Sequence, residues 1–247
     1  MSHCSNRLKL DICSGYTVKG KSHLRTKQPN QDSFLIGLLP YCDVFVAADG
    51  VGSHLYSQKG SKYVCRAVKV TFKKLHTKKI KEEDILSSIY HIYKKQVRKK
   101  EQYNVGTTCL FGVVYNEKLY IGQAGDGVCC IKLDGKFKMT GQRDNDFTNE
   151  VLAISDKSEY DSWKYRCIDL KNVSELEIML TTDGISEDII PDKMSDFMSY
   201  IISKVEKNQK KGLKKILTEW SFPGSIDDKT IVVARWKFVV GSCVRPS

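Results

Sequence analysis

The order of strand-like and helix-like segments is the feature that most constrains the fold of this 247-residue chain. Short alternating or β-branched runs come first, and two amphipathic helical stretches follow them. Strand-like runs then return before a second helical region and a closing strand. A regular alternation of strand and helix would be typical of a parallel sheet, and this chain lacks it. The pattern therefore predicts an α+β fold with two antiparallel sheets flanked by helices.

The individual segments follow from hydrophobic periodicity. Residues 8–18, 33–39 and 43–49 are predicted as strands, which we expect to form an opening β meander. Apolar residues at helical spacing predict two helices, through Val64, Val68, Thr71 and Leu75 and then through Ile85, Ile89, Tyr93 and Val97. Further strands are predicted at 107–115, 118–125, 127–133, 176–184 and 229–239, with turns at Gly125–Gly127 and Asp134–Lys136. Helices are predicted at about 186–219, and an irregular polar insertion is predicted at about 141–170.

The net charge of +11 and the pI near 9.1 raise the question of nucleic-acid binding. Residues 69–100 carry eleven Lys or Arg against three acids, and residues 207–215 carry a second cluster. Both clusters are dominated by lysine, with few of the arginines and aromatic residues that grip bases. Solvated helix faces are the favoured interpretation, and attraction to acidic or phosphorylated partners is the alternative.

Compartment and domain organisation follow from what the sequence lacks. No stretch is apolar enough for a membrane helix, and the N-terminus has no signal-peptide core. The nine cysteines form no C-x-x-C pair, so we expect most of them to be small buried residues in a reducing compartment. There is no internal repeat or low-complexity linker. We expect one domain over residues 1–247, in a monomeric cytoplasmic protein.

Acidic residues follow or precede several predicted strands. Asp49, Asp126 and Asp183 each follow an apolar strand and precede a glycine, and the pair Asp227 and Asp228 precedes the closing strand. A single Asp-Gly is usually a turn. Several carboxylates converging on the ends of packed sheets would repel one another unless cations lay among them. Oxygen ligands suit Mg²⁺ or Mn²⁺, and two such ions about 3.5 to 4 Å apart are a common device for phosphoester hydrolysis.

A series of short motifs in a fixed order carries a family resemblance. They are NQD at 30–32, AADGVGSH at 47–54, GTT at 106–108, GQAGDG at 122–127, LTTDG at 180–184 and DDKT at 227–230. In this order they resemble the motifs of the metal-dependent protein phosphatase 2C family over about residues 12–236, most closely its compact bacterial branch. The resemblance implies a central sandwich of two antiparallel sheets with helix pairs outside, and a two-metal site at one end of the sandwich.

The resemblance also implies metal ligands. Asp49 matches the carboxylate that bridges both ions, and the Gly50 carbonyl joins the shell of the second ion. Asp183 and Asp227 match ligands of the first ion. Asp126, together with Asp183, matches a pair that can hold a third, weaker ion.

Other positions match supporting residues of the family or depart from them. Asp32 matches an acid that supports the metal-bound waters. Gln31 stands where the family often has Glu, and Asp228 where it more often has Asn. The phosphate-binding Arg of the family would fall at Lys27, whereas Arg25 lies two residues earlier. Because Arg can bind phosphate through two parallel hydrogen bonds, Arg25 is favoured and Lys27 is the rival.

Two histidines have two interpretations each. His54 matches the histidine of the bacterial DGxGGH form, and is either a proton donor to the leaving alcohol or a structural loop residue. His23, in the segment GKSH, either helps to hold the phosphate or a metal-bound water, or caps local structure.

The activity implied by the resemblance is hydrolysis of phosphoserine and phosphothreonine in proteins by a water activated between two Mg²⁺ or Mn²⁺ ions. The substrates would be phosphorylated proteins, supplied by a cognate serine/threonine kinase system. The alternative is a non-catalytic pseudophosphatase that binds phosphorylated partners. Loss of one or more metal-binding acids would be expected of such a protein, and the core acids are present in this sequence.

Overall fold

The computed structural model of the protein describes residues 7–102, 104–140, 163–220 and 224–239. Ten strands and five α-helices lie in these segments. The strands are β1 (Arg7–Val18), β2 (Ser33–Leu39), β3 (Cys42–Ala48), β4 (Cys109–Tyr115), β5 (Lys118–Ala124), β6 (Val128–Leu133), β7 (Lys136–Met139), β8 (Lys164–Asp169), β9 (Glu175–Thr181) and β10 (Lys229–Val239). The helices are α1 (Lys21–Arg25), α2 (Ser57–His76), α3 (Ile85–Gln96), α4 (Asp183–Ser186) and α5 (Met194–Thr218).

The strands form two five-stranded sheets in which the pairings are antiparallel. Sheet I has the order β1-β10-β9-β6-β7, and sheet II has the order β2-β3-β4-β5-β8. Apolar side chains of both sheets meet in a shared core between them. Helices α2 and α3 cover the outer face of sheet II, and α4 and α5 cover the outer face of sheet I. This four-layer arrangement confirms the predicted α+β sandwich with flanking helices.

Strand β3 is apolar at successive positions, without alternating polar residues, because both of its faces are covered. Val44, Val46 and Ala48 face the layer under α2, whereas Phe45 and Ala47 face the core between the sheets. Successive residues of a strand point to opposite faces, and both faces of this strand are covered. All five side chains are completely buried, which fixes the strand end where Asp49 follows.

The predicted opening meander is wrong for its first strand. β1 pairs with β10, with Arg7 opposite Val239 and Val18 opposite Lys229, so it belongs to sheet I, whereas β2 and β3 belong to sheet II. An alternating pattern identifies a strand but does not choose its partner. The partner is set by which faces become buried after the chain has folded.

A predicted turn and the predicted insertion also change. Gly125–Gly127 connects β5 of sheet II to β6 of sheet I, so this segment is a crossing between sheets and not a hairpin turn. In the predicted insertion at 141–170, residues 164–169 form β8, which pairs with β5. Residues 141–162 lie outside the described residues.

The two long amphipathic helices are confirmed. Their predicted apolar stripes are buried, except for Val97, which lies just past the end of α3 in an extended conformation. Lysines such as Lys62 and Lys73 are exposed on the opposite face of α2, as expected for a solvated face.

The cysteine prediction also agrees with the described part of the chain. Cys42, Cys65, Cys109, Cys129 and Cys130 are buried free thiols, whereas Cys167 is exposed. None of the described helices is long and apolar enough to cross a membrane.

Candidate metal centre

Strand register gathers the strand-end acids at one end of the sandwich. Ser33 lies opposite Ala48, Ile231 opposite Thr181 and Cys109 opposite Ala124. Because antiparallel partners place the end of one strand beside the start of the next, the residues just beyond these pairs become neighbours. They are Asp32, Asp49, Thr107, Thr108, Asp126, Thr182, Asp183, Asp227 and Asp228.

Three carboxylates form the centre of this cluster. One oxygen from each of Asp49, Asp183 and Asp227 lies within 4.8 Å of the other two. Burial, and then the charges of Asp32, Asp183 and Asp227, raise the pKa of Asp49 far above that of an ordinary carboxyl. Burial and the neighbouring charge of Asp126 raise the pKa of Asp183 to about 6. The protein alone therefore compensates these charges poorly.

Asp32 lies behind Asp49 and is almost completely buried, with 4% of its surface exposed. Its Oδ2 accepts a hydrogen bond of 2.9 Å from the Thr182 hydroxyl, and that hydroxyl oxygen accepts one of 3.0 Å from the Thr230 amide. Within the described residues, Asp32 Oδ1 has no fixed donor, and the neighbouring Asp49 carboxyl is within hydrogen-bonding reach of the Asp32 carboxyl. Burial raises the pKa of Asp32. One oxygen is thus fixed by the protein, while the other remains available at the centre.

These observations fit a divalent cation. Oxygens of three carboxylates lie within 4.8 Å of one another, and the pKa values of two of them, Asp49 and Asp183, are raised. A further buried oxygen, Asp32 Oδ1, lies behind them, and an oxygen-binding cation would stabilise such a group. The set contains no thiol, and among the described residues the imidazole beside Asp227, that of His23, is bound to Asp228. Such a donor set suits Mg²⁺ or Mn²⁺ better than zinc. Asp49, Asp183 and Asp227 are the residues that could hold the ion.

The GTT segment clamps the backbone of Asp49, a role that the sequence did not reveal. Thr108 Oγ1 accepts a hydrogen bond of 2.8 Å from the Asp49 amide. The Asp49 carbonyl accepts the Thr108 amide at 2.7 Å and the Thr107 hydroxyl at 2.8 Å. Three hydrogen bonds therefore fix the position of this residue without using its carboxylate.

Gly50 is needed for close packing. Its backbone is buried, and a Cβ atom at this position would lie 2.5 Å from the Ser57 carbonyl oxygen at the start of α2. The absent side chain therefore makes room for a helix terminus. Any other residue here would push the turn that carries Asp49 away from α2.

Asp228 lies beside Asp227, but its carboxylate has other partners than the three central acids. Its carboxylate accepts the Gly20 amide at 2.7 Å and the Gln31 amide at 2.6 Å, and lies 2.8 Å from His23 Nδ1. Because a carboxylate can only accept, His23 carries a proton on Nδ1. The same nitrogen lies 3.9 Å from Asp227 Oδ1. Asp228 thus anchors the segment from Gly20 to Gln31 against the start of β10.

The candidate phosphate-binding residues are placed differently from one another. His23 is half-buried beside Asp227 and Asp228, whereas the side chains of Arg25 and Lys27 are exposed. Neither exposed residue has a described hydrogen bond or ion pair to the central acids. Asp126 is exposed but close enough to Asp183 to raise its pKa, so these two acids form the outer part of the cluster.

His54 has a structural hydrogen bond. The Gly106 amide donates to His54 Nδ1 at 2.7 Å, so the ring proton lies on Nε2. Full protonation of the ring would break this bond. The geometry favours the structural interpretation of His54, as the residue that holds Gly106 beside the clamp on Asp49.

Comparisons with known proteins agree with the observed fold. The sequence profile of protein phosphatase 2C matches residues 19–220. The structure resembles the serine/threonine phosphatase Stp1 from Staphylococcus aureus, with a TM-score of 0.63 and 17% identity, over 95% of this chain and 98% of that one.

Two further solved structures are similar. RsbX in complex with magnesium has a TM-score of 0.57 and 14% identity, over 94% and 100% of the two chains. The phosphatase domain of SpoIIE from Bacillus subtilis, with a fragment of its regulatory domain, has a TM-score of 0.62 and 14% identity, over 95% and 65%. At these identities the likeness concerns the fold. No curated protein sequence matches the chain. Since the family profile covers most of the sequence, from the end of β1 to just past α5, the chain belongs to the protein phosphatase 2C family.

Proposed function

We propose that this protein is a Mg²⁺- or Mn²⁺-dependent phosphatase that hydrolyses phosphoserine and phosphothreonine in proteins. The observation that carries the proposal is the convergence of Asp49, Asp183 and Asp227 on one point, with oxygens within 4.8 Å of one another. The family and fold support the reaction class. Phosphorylated proteins would be the substrates, and a serine/threonine kinase would supply them.

Each acid has a proposed task. Asp49, Asp183 and Asp227, with the Gly50 carbonyl, would hold the two core ions, and Asp126 with Asp183 would hold a third. When bound, the ions would activate a water for attack on phosphorus and neutralise the phosphate oxygens. Asp32, oriented by Thr182, would accept a hydrogen bond from the attacking water through its free Oδ1.

Chelation followed by readdition of metal tests this proposal. Dialysis against EDTA is expected to abolish hydrolysis of p-nitrophenyl phosphate and of a phosphothreonine peptide, and Mn²⁺ is expected to restore both. Activity that is indifferent to EDTA would contradict the assignment. Retained binding of the phosphopeptide with no turnover at any Mn²⁺ or Mg²⁺ concentration would instead identify a pseudophosphatase.

Substitutions of the three basic residues test which of them serves the phosphate. We expect His23→Ala to lower kcat/KM by about tenfold or more, a transition-state loss of about 1.4 kcal/mol, because His23 alone of the three lies beside Asp227. Arg25→Ala and Lys27→Ala are expected to change it less than about threefold, because exposed charges are screened by solvent.

A control variant separates a structural effect of His23 from a catalytic one. His23→Gln can still donate a hydrogen bond to Asp228 but cannot carry a positive charge. If it restored full activity, the role of His23 would be to hold Asp228. A tenfold loss in Arg25→Ala with no effect in His23→Ala would instead identify Arg25 as the phosphate ligand.

A further inference from the structure

We propose that a groove in the α5 region is a docking site for an acidic protein segment that carries bulky apolar side chains. The groove, of about 1020 Å³, is lined by residues of α5, by residues 188–190, and by Lys193, Glu219 and Trp220 at the two ends of the helix. It is distinct from the metal centre, and this binding function goes beyond the proposed phosphatase activity.

The groove exists because α5 is sharply bent. In a straight helix, residues 204 and 212 would be about 12 Å apart along the axis. Here, a Cβ atom on Gly212 would lie 2.7 Å from the Lys204 carbonyl oxygen, so the chain turns back between these residues. Only glycine permits this close approach. The bend places the first arm, residues 194–207, beside the second arm, residues 211–218, with an open groove between them.

The floor of the groove is aromatic and aliphatic. Phe197 from the first arm and Trp220, just after the second, make an edge-to-face contact with ring centroids 6.0 Å apart. Ile190 and Tyr200 lie at the edge with 69% and 48% of their surfaces exposed. Large apolar side chains this exposed around a concave surface are typical of a site that a partner covers.

The rim of the groove is basic. Lys193, Lys204, Lys211 and Lys215 line it. Its acidic lining residues are Asp188, Asp196 and Glu219. The Asp196 carboxylate lies 3.8 Å from Lys193 Nζ, and the Asp188 carboxylate is buried. Lys204 lies on the first arm and Lys211 and Lys215 on the second, so lysines flank the apolar floor from two sides. An occupant with apolar anchors and flanking acids would match both the floor and the charge.

The groove is connected to the proposed metal centre through Asp188. The Asp188 carboxylate accepts hydrogen bonds of 2.7 Å from Trp220 Nε1 and 2.6 Å from the Ser225 amide. Ser225 Oγ in turn accepts the Asp227 amide at 3.2 Å. Asp188 therefore links Trp220 to the loop that carries Asp227. An occupant that packs on Trp220 would contact this series of hydrogen bonds.

Selection from a library of random, unphosphorylated 16-residue peptides tests the proposal. The full chain is the bait, in EDTA, so that the result is independent of phosphatase activity. The Ile190→Ala/Tyr200→Ala double variant serves for counter-selection. Enriched peptides are expected to contain several Asp or Glu residues and at least two bulky apolar residues. A selection that yields no groove-dependent peptide, or only neutral or basic ones, would overturn the proposal.

Fluorescence anisotropy with one enriched, labelled peptide gives the quantitative test. We expect the Kd to rise at least tenfold in Ile190→Ala/Tyr200→Ala and in Lys211→Glu/Lys215→Glu. The matched controls, Leu38→Ala on β2 and Lys73→Glu on α2, are both exposed and distant from the groove, and should change it less than twofold.

Two further results would count against this occupant. Equal effects of the groove variants and the controls would show that binding is not at the groove. A wild-type dimer in sedimentation velocity that dissociates in Ile190→Ala/Tyr200→Ala would show that a second copy of the chain occupies the groove. Circular dichroism of each variant verifies that it is folded.

Discussion

Replacing Asp49 by Asn is expected to lower metal-dependent phosphatase activity by about 10³-fold or more, a loss of at least about 4 kcal/mol of transition-state stabilisation. One carboxylate oxygen of Asp49 lies within 4.8 Å of oxygens of Asp183 and Asp227. Its loss would therefore remove the group that would bridge the ions. The measurements are kcat/KM with p-nitrophenyl phosphate and Mn²⁺ affinity by titration calorimetry.

The same substitution should leave the protein folded and more stable in EDTA. The three hydrogen bonds to Thr107 and Thr108 use the backbone of Asp49, and Asn has nearly the same shape. Without metal, burial and three neighbouring acids disfavour the Asp49 carboxylate. Removing it should therefore raise the free energy of unfolding on the order of 2 kcal/mol, or about 4 to 8 °C in Tm for a chain of this size.

Asp169→Asn is the matched control for Asp49→Asn. Asp169 ends β8, where it lies opposite Lys118 at the start of β5, at the other end of the sandwich from the site. It is 60% exposed, and its substitution should change neither activity nor stability measurably. Undiminished turnover in Asp49→Asn would rule out the proposed metal centre, and equal losses in both variants would point to a general effect on folding.

The sequence predicted where the acids would lie but not which way their side chains would point. Strand-end position was enough to bring Asp49, Asp183 and Asp227 together. Asp227 and Asp228 are adjacent, and their carboxylates both lie near His23. Asp227 also joins Asp49 and Asp183, while Asp228 anchors Gly20 and Gln31. The dipeptide alone does not show which is which, because both are acids.

Helical geometry explains the different positions of His23 and Arg25. Residues two apart on a helix face nearly opposite sides, so only one of them can face the acids. The sequence favoured Arg25 for its chemistry, since α1 has five residues and no apolar stripe to mark its inner face. A short polar helix is placed by tertiary contacts, here the hydrogen bonds of Gly20 and His23 to Asp228.

The partner of β1 depended on still longer-range information. Its pairing joins Arg7 to Val239, across almost the whole described chain. The crossing at Gly125–Gly127 likewise moves the chain from one sheet to the other where Gly-Asp-Gly suggested a simple turn. Local patterns identify elements, whereas the choice between two stacked sheets depends on which faces are buried together.

Without divalent metal, the protein is expected to become less stable as the pH rises from about 4 to 7. The folded-state pKa of Asp183 is raised to about 6, and those of Asp32 and Asp49 are raised as well. In the unfolded chain these carboxyls titrate near 3.9. Between these values the unfolded state binds fewer protons than the folded state, so the free energy of unfolding falls with increasing pH.

The expected decrease is on the order of 3 kcal/mol for the cluster as a whole. Carboxyls whose pKa is lowered, such as those of Glu101 and Glu206, have the opposite effect. Their contribution is gained below about pH 4.5, so it does not affect the decrease between pH 5 and 7. Urea unfolding in EDTA at pH 5, 6 and 7 measures the decrease, and Asp49→Asn should make it shallower.

Saturating Mn²⁺ should reverse this trend, because the ion binds the deprotonated carboxylates. At a free concentration of a hundred times its Kd, it would add about 2.7 kcal/mol to the free energy of unfolding. Its apparent Kd should fall as the pH rises, so the stability curves with and without metal should diverge between pH 5 and 7. Parallel curves, or an apo protein that is most stable at pH 7, would mean that the charges of these acids are already balanced in solution without a metal ion. In that case a cation site at this end of the sandwich would lose its electrostatic basis.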